Sequence, residues 1–302
     1  MTGRALITGA SGFLGRHLCA ALKRRGVTTI ALARLGSEMA PTDERITLLD
    51  ETNPQELASA LSVAAAQWVF HLAGRPTAAT LTELYRANTV YGASLLQAAR
   101  STPDPPVMLL AGTAAEYGSA AVRQGRVGED IECKPTTPYG ITKLAQTLHG
   151  LAWPDRLIVA RLFNPVGPGM PRHLALGDFT DQISKMEPAG GRLVTGQLSV
   201  ERDFIEVSSV VEALIGLVLS PLDRPLVVNI CSGVGTSLRD LLDGLIRASG
   251  KSITIEERED RGSATTRGLS RIVGDPARLA RQGLVVLPPE PEKLGRALLN
   301  PA

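Results

Sequence analysis

Hydrophobic positions along the chain fall into short runs separated by segments with helical spacing. Seven such runs predict buried strands at residues 4–8, 28–33, 46–49, 68–72, 107–111, 157–162 and 226–230. Between the strands, residues 14–22 carry leucines and alanines at helical spacing, and Asn53 followed by Pro54 is typical of a helix N-terminus. Because alternating strands and helices build a parallel sheet covered on both faces, the pattern predicts an α/β protein with a doubly wound sheet.

The composition is that of an ordinary globular protein. The 302 residues are 44% hydrophobic and carry a formal net charge of +2. With 4% aromatic residues and no long basic run, a nucleic-acid partner is not expected. Cys19, Cys133 and Cys231 lie far apart, so a metal site is not expected either. The first residues resemble a strand rather than a leader, and no apolar run is long enough for a membrane span, so we expect a cytoplasmic protein.

A glycine-rich turn follows the first predicted strand and precedes the first predicted helix. Gly9, Gly12 and Gly15 have the spacing GxxGxxG. In the order strand, turn, helix, these glycines permit a tight turn, close approach of a pyrophosphate to the backbone, and close contact between helix and strand. The segment therefore predicts a dinucleotide site in a Rossmann-type sheet, although a glycine turn without ligand is the simpler alternative.

A second motif places Tyr139 and Lys143 four residues apart, on one face of a predicted helix. A lysine ammonium beside the phenol is expected to lower the pKa of the tyrosine toward the range of a general acid or base. Taken alone, this spacing is also common on exposed helices.

After Asn164 the chain becomes rich in proline and glycine and its predicted elements become shorter. We therefore predict a dinucleotide-binding domain at residues 1–163, to which residues 205–230 return. The residues 164–204 and 231–302 are predicted to form a smaller C-terminal substrate lobe, because open α/β sheets bind ligands beside the ends of their strands.

Several further motifs follow the glycine turn in a fixed order. They are HLAG at 71–74, Asn88, GTAAEYG at 112–118, TTPYGITK at 136–143, ARLFNPVGPG at 160–169, RDFIEV at 202–207 and VNICSG at 228–233. Together they resemble the extended short-chain dehydrogenase/reductase family over nearly the whole chain. The resemblance is to its nucleotide-sugar branch, and within it to 4-keto-6-deoxyhexose reductases of the GDP-6-deoxymannose type.

The resemblance implies a role for each matching residue. Thr113, Tyr139 and Lys143 are implied to be the catalytic set. The cofactor, NAD or NADP, is expected to contact Gly9, Ser11, Gly12, Phe13, Leu14, Gly15, Arg34, Asp50, Leu72, Ala73, Gly74, Asn88, Tyr139, Lys143 and Leu162. The nucleoside-diphosphate sugar is expected to contact Arg75, Ala115, Glu116, Asn164, Arg202 and Arg267.

Some positions leave alternatives open. Ala114 and Ala115 stand where sugar 4,6-dehydratases of this family carry an acidic pair, which weakens the interpretation as a 4,6-dehydratase. Glu116, the next residue, either supports another elimination or is a solvated or hydrogen-bonded loop residue. Arg34 could pair with the 2′-phosphate of NADP, which favours NADP over NAD. It could also stack on adenine or face water. Asp50 either recognises the adenine amine or caps a loop or helix.

We expect an NAD(P)-dependent oxidoreductase acting on a nucleoside-diphosphate hexose, with 4-keto reduction favoured. The alternatives are a 4-epimerase with retained NAD, a dehydratase using internal redox chemistry, and a dinucleotide-sensing module without activity. The family resemblance also implies a homodimer formed through the helices that hold Asn88 and Tyr139, and the apolar helix expected at residues 81–99 is compatible with it.

Overall fold

The computed structural model describes residues 2–123, 125–152, 156–221, 225–258 and 271–300. The strands are β1 Gly3–Thr8, β2 Val27–Arg34, β3 Glu44–Leu48, β4 Trp68–His71, β5 Val107–Thr113, β6 Leu157–Leu162, β7 Asn164–Val166, β8 Gly190–Thr195, β9 Glu201–Arg202, β10 Phe204–Glu206, β11 Leu226–Ile230, β12 Thr236–Ser237, β13 Ser252–Glu257 and β14 Arg271–Ile272. The helices are α1 Phe13–Arg24, α2 Pro54–Ala64, α3 Leu81–Tyr85, α4 Tyr91–Arg100, α5 Pro138–Leu151, α6 Ala175–Lys185, α7 Val207–Leu219, α8 Leu238–Ser249, α9 Ala277–Ala280 and α10 Pro291–Leu299.

The central sheet has seven parallel strands in the order β11-β6-β5-β4-β1-β2-β3. All seven predicted strands are present in it, with ends that differ by at most two residues, and the doubly wound Rossmann-type fold is confirmed. The chain runs outward from β1 in one direction through β2 and β3, and in the other through β4 and β5. This reversal leaves a crevice at the carboxyl ends of β1 and β4, where ligands of such sheets bind.

Each face of the sheet is covered by helices. Ala5 and Ile7 of β1 belong to one hydrophobic cluster, which includes buried residues of α1 and α7. Leu6, between them, belongs to the cluster on the other face, with residues of α2 and α4. Neighbouring strand residues thus point to opposite faces, and both faces are apolar because both are covered.

The predicted helix at residues 81–99 is interrupted by one wide turn. α3 and α4 are joined by a π-helical turn at Arg86–Val90, so the helical backbone continues to Arg100. Such turns insert an extra residue and are frequent at functional sites. Here the turn contains Asn88, one of the predicted cofactor residues.

A third cluster forms the core of the C-terminal part of the chain. It contains buried residues from α6, β8, α8 and α10, among them Phe179, Leu193 and Leu245. In contrast, Leu279 and Val286 pack into the core of the sheet, so residues 231–302 divide between both cores. The predicted boundaries of domain and lobe stay a prediction.

In the described part of the chain, no helix has the length and apolar character needed to cross a membrane. The same residues hold no group of histidine, cysteine and acidic side chains that could bind a metal ion.

Candidate active site

A crevice of about 250 Å³ opens at the carboxyl ends of β1, β2 and β4. Several predicted cofactor residues and one predicted substrate residue meet there, although they come from distant segments. The lining consists of Gly9, Ala10, Ser11, Gly12, Ala31, Leu32, Ala33, Arg34, Ser37, Glu38, Ala40, Glu51, Leu72, Ala73, Gly74, Arg75, Ala87 and Tyr91.

The glycine turn has the geometry that the sequence predicted. Gly9 has a φ of +70°, and a Cβ atom there would lie 2.8 Å from the backbone nitrogen of Ala73. A Cβ on Gly15 would overlap the carbonyl oxygen of Gly9. The Gly12 N–H donates to that carbonyl at 3.0 Å, which closes the turn. Gly9 is therefore required for the turn, and Gly15 for close packing of α1 on it.

The N-terminus of α1 fits an anionic group. Its cap is Gly12, and no side chain among the described residues bonds its first N–H groups. No acidic residue occurs in the first turn. By contrast, α2 is capped by Asn53 and α5 by Thr137. Free N–H groups and the helix dipole together favour the pyrophosphate of a dinucleotide at the Gly9–Gly12 turn.

The two residues predicted for the adenosine end lie in different surroundings. Arg34 is exposed and lines the crevice beside Ser37. Asp50 instead caps its own loop, because its Oδ1 accepts from the Thr52 N–H at 2.7 Å and from the Thr52 hydroxyl at 2.6 Å. The next residue, Glu51, lines the crevice together with Glu38, and the sequence analysis missed both. Only the packing of the crevice wall distinguishes Asp50 from Glu51.

Thr113 and Tyr139 meet although they lie on β5 and α5. Thr137 caps α5 by accepting from the Gly140 N–H at 3.1 Å, and Pro138 begins the helix, so Tyr139 is held in its first turn. The Thr113 side chain reaches that of Tyr139 closely enough to lower the pKa of Tyr139. The Thr113 Oγ1 also accepts from the Ala115 N–H at 3.2 Å. This bond leaves the single hydroxyl hydrogen of Thr113 available to be donated toward Tyr139.

The pKa of Tyr139 differs from the sequence prediction. We expected Lys143 to lower it, but burial raises the pKa of Tyr139. The Thr113 hydroxyl lowers the pKa of Tyr139 in part, and the charge of Glu116 raises it further. The Lys143 ammonium donates instead to the side-chain oxygen of Gln146, which lies one turn further along α5.

Lys143 is almost fully buried beside the floor of the crevice. A Cβ on Gly74 would lie 3.8 Å from its Nζ and 3.2 Å from Oδ1 of Asn88. Burial lowers the pKa of Lys143 to about 8, against an opposing effect of Glu116. A cation next to Gly74 is well placed for the hydroxyl groups of a bound ribose.

Asn88 fastens three segments around this cation. Its Oδ1 accepts from the Arg75 N–H at 2.7 Å, and its Nδ2 donates to the Arg75 carbonyl at 2.9 Å and to the Thr142 hydroxyl at 3.0 Å. Asn88 thus joins the crevice wall at Arg75 to α5 at Thr142. Thr142 and Gln146, next to Lys143 on α5, were missed because helical spacing alone does not show what a side chain contacts.

Glu116 does not face the crevice. Its side chain is fully buried, and Arg161 donates to its carboxylate at 2.9 Å. This corrects the expectation that Glu116 contacts the substrate or supports an elimination, because a carboxylate held by a buried ion pair is not available to a ligand. The predicted substrate residue Ala115, in the same short turn, is partly exposed.

The remaining predicted substrate residues lie at the start of the C-terminal part. Asn164 donates to the Asp203 carbonyl at 3.1 Å, and the neighbouring Arg202 is nearly buried. The carboxylate of Asp203 accepts from backbone N–H groups of Gly233 and Gly274 and thereby fixes this region. Arg267 lies outside the described residues.

Three other predicted cofactor residues flank the glycine turn and the sheet. Phe13 is half-buried and packs edge-on against His17 with ring centroids 5.4 Å apart. Leu14 and Leu162 are half-buried against the core of the sheet. None of the three bears on the polar contacts above.

A parallel sheet with a glycine turn, a crevice at the strand reversal and a Thr-Tyr-Lys group defines an extended short-chain dehydrogenase/reductase. The comparison with family models agrees: the model of the NAD dependent epimerase/dehydratase family matches residues 5–231, and the chain belongs to this family. Its members are enzymes that depend on NAD or NADP.

The individual relatives point to one part of the family. The chain is 31% identical to GDP-6-deoxy-D-mannose reductase of Pseudomonas aeruginosa, over 92% of this chain and 90% of that one. It is 32% identical to dTDP-6-deoxy-L-talose 4-dehydrogenase (NAD(P)(+)) of Kitasatospora kifunensis, over 84% of this chain and 81% of that one. Among solved structures, RMD from Pseudomonas aeruginosa complexed with NADPH has a TM-score of 0.76 and 26% identity, covering 99% of this chain and 97% of that one. The predicted resemblance to the GDP-6-deoxymannose type is confirmed.

Proposed function

We propose that the protein reduces the 4-keto group of a nucleoside-diphosphate 6-deoxyhexose with NADPH. The observation that carries the proposal is that the Thr113 side chain reaches Tyr139, which lies one turn of α5 before the buried Lys143. Two relatives of more than 30% identity are named for redox chemistry of 6-deoxy sugar nucleotides, which supports this substrate class.

The chain's own groups supply the proton and the orientation. When bound, the reduced nicotinamide supplies a hydride to carbon 4 of the sugar. The Tyr139 phenol gives its proton to the carbonyl oxygen, which becomes the hydroxyl, and Thr113 holds that oxygen by a hydrogen bond. A raised pKa keeps Tyr139 protonated at neutral pH, as a proton donor requires. Lys143 would orient the nicotinamide ribose.

The residues after Thr113 support reduction without elimination. Loss of water from a sugar needs an acid and a base in addition to the tyrosine. Ala114 and Ala115 supply neither, and the carboxylate of Glu116 is buried against Arg161. The dehydratase alternative therefore has no support among these side chains.

The direct test is to incubate purified protein with GDP-4-keto-6-deoxymannose or dTDP-4-keto-6-deoxyglucose and NADPH or NADH. We expect loss of absorbance at 340 nm and a product heavier by two hydrogens. Interconversion of a UDP-hexose by protein that retains about one NAD per chain, without net oxidation of added cofactor, would instead establish a 4-epimerase.

We also propose that the protein forms a homodimer through α5 and the helix at residues 81–100. Both helices carry large apolar side chains that are exposed: Leu81, Tyr85, Val90, Ile141, Leu148 and Leu151. We expect light scattering to give the mass of two chains, and Leu148→Glu to give one. A monomeric wild-type protein at assay concentration would refute the proposal.

A further inference from the structure

The carboxylate of Glu116 connects three elements behind the candidate active site. Its Oε1 accepts from the backbone N–H of Thr113 at 2.9 Å, at the end of β5. Its Oε2 accepts from the Thr147 hydroxyl of α5 at 3.0 Å and from Nε of Arg161 on β6 at 2.9 Å. One side chain therefore sets how β5, β6 and α5 lie relative to one another.

Stability alone is a poor reason to bury this group. Taking a carboxylate and a guanidinium out of water costs about as much as their attraction returns, and an apolar pair of similar volume is often no less stable. The chain also makes room for the carboxylate, since a Cβ on Gly112 would lie 2.8 Å from its Oε1. The Arg161 guanidinium is itself placed by the Tyr117 hydroxyl, to which it donates at 3.1 Å.

Thr113 is held at both its backbone and its side chain. Glu116 accepts from its N–H, while its own Oγ1 accepts from the Ala115 N–H. These two bonds fix the rotation of Thr113 so that its hydroxyl hydrogen can point to Tyr139. Thr147, one turn beyond Lys143 on α5, attaches the other side of the site to the same carboxylate.

We propose that Glu116 is a positioning residue, which holds Thr113 and α5 in register for proton transfer and places a negative charge behind Tyr139. The inference rests on the proposed roles of Thr113 and Tyr139. Glu116 contacts no reacting atom and acts through these two side chains.

The negative charge of Glu116 changes the pKa values of neighbouring side chains in a defined direction. The titratable and charged groups around Glu116 are Tyr117 on its own segment, Arg161 on β6, Cys133 before α5, and Tyr139 and Lys143 on α5. Glu116 raises the pKa of both Tyr139 and Lys143. Removing the charge should therefore lower the pKa of Tyr139, and a proton donor would be lost at lower pH.

The kinetic test compares Glu116→Gln with Glu129→Gln. The Glu129 side chain is 5% exposed, accepts from the Asn229 N–H at 2.8 Å and pairs with Arg278 rather than Arg161. We expect Glu116→Gln to lower kcat about 10-fold or more, with KM changed less than about 3-fold, and to move the alkaline limb of kcat to lower pH. Glu129→Gln should leave kcat and the limb in place. Equal behaviour of the two variants would overturn the proposal.

A second readout needs no substrate and so separates this proposal from the proposed function. Ionisation of Tyr139 is followed by ultraviolet difference between each protein and its Tyr139→Phe counterpart. The chain has four tyrosines, and burial raises the pKa of Tyr91 and Tyr117 far above the range of the titration. We expect the Tyr139 midpoint to fall by about half a unit or more in Glu116→Gln. An unchanged midpoint would refute the electrostatic role even if the enzyme proves not to be a 4-ketoreductase.

Thr147→Val keeps the test decisive if Glu116→Gln does not fold. It removes one hydrogen bond to the carboxylate and no charge. We expect kcat to fall about 3-fold or more while the alkaline limb stays in place. A kcat within about 2-fold of wild type would show that the link to α5 has no positioning role.

Discussion

The two sides of the candidate active site are built by opposite means. The glycine side, Gly9 to Gly15, is shaped by the backbone, and its residues Gly9 to Gly12 line the crevice. The other side, around Thr113 and Tyr139, is shaped by the buried Glu116. Its carboxylate accepts from the Thr113 N–H at the end of β5 and from the side chains of Thr147 on α5 and Arg161 on β6. The first side is made by seven consecutive residues, whereas the second exists only when distant segments pack together. Substitutions should therefore affect binding on one side and turnover on the other.

The largest effect should come from Tyr139→Phe. Removing the proton donor is expected to lower kcat by about 10²- to 10⁴-fold, with the Kd for NADPH nearly unchanged. Stopped assays for kcat and fluorescence titration for Kd measure the two sides separately. Tyr85→Phe is the control, because it also removes a phenol hydroxyl but Tyr85 does not line the crevice. Full turnover by Tyr139→Phe would remove the catalytic assignment.

Gly9→Ala should break the other side. An alanine at this position would have to keep a backbone φ near +70°, and its Cβ would lie 2.8 Å from the Ala73 nitrogen. We expect weaker NADPH binding and a loss of stability of about 1–3 kcal/mol, measured by calorimetry and by thermal unfolding. Gly128→Ala is the control, because its Cβ would meet nothing within 4 Å. Unchanged affinity in Gly9→Ala would contradict the role of the turn.

Lys143→Met should gain stability while losing activity. Burial lowers the pKa of Lys143 from 10.5 to about 8, so the charged lysine lowers the free energy of unfolding at pH 7. The variant should be more stable by about 1–3 kcal/mol at pH 7. Between pH 8 and 10.5 the unfolded chain holds the proton that the folded chain has lost, so wild-type stability rises there and the difference shrinks.

Denaturant unfolding at several pH values measures this effect. Lys185→Met, whose side chain is 70% exposed, should change stability by less than about 0.5 kcal/mol. A Lys143→Met protein less stable than wild type at pH 7 would mean that the lysine's bond to Gln146 outweighs its burial.

Arg34→Ala should have the smallest effect and acts at the open end of the crevice. If Arg34 pairs with the 2′-phosphate, the preference for NADPH over NADH should fall about 10-fold, and less at high salt. Arg24→Ala, at the exposed end of α1, is the control. An unchanged preference would leave Arg34 stacked on adenine or facing water.

The two sides also differed in how far they could be predicted. The strands, the doubly wound order and the glycine turn follow from local patterns, because strand burial and a positive φ are properties of short segments. The roles of Asp50 and Glu116 were not accessible in this way. Asp50 and Glu51 are neighbours in sequence, and only the packing of the crevice wall brings Glu51 to the surface of the cavity.

By itself, the sequence determined the family, the parallel sheet and the glycine turn, and it singled out Thr113, Tyr139 and Lys143 as a group. Tertiary structure decided the electrostatics of that group. Lys143 contacts Gln146, burial raises rather than lowers the pKa of Tyr139, and Glu116 pairs with Arg161, which lies 45 residues away. The physical reason is that a pKa depends on burial and on every nearby charge, and these are set by which segments pack together.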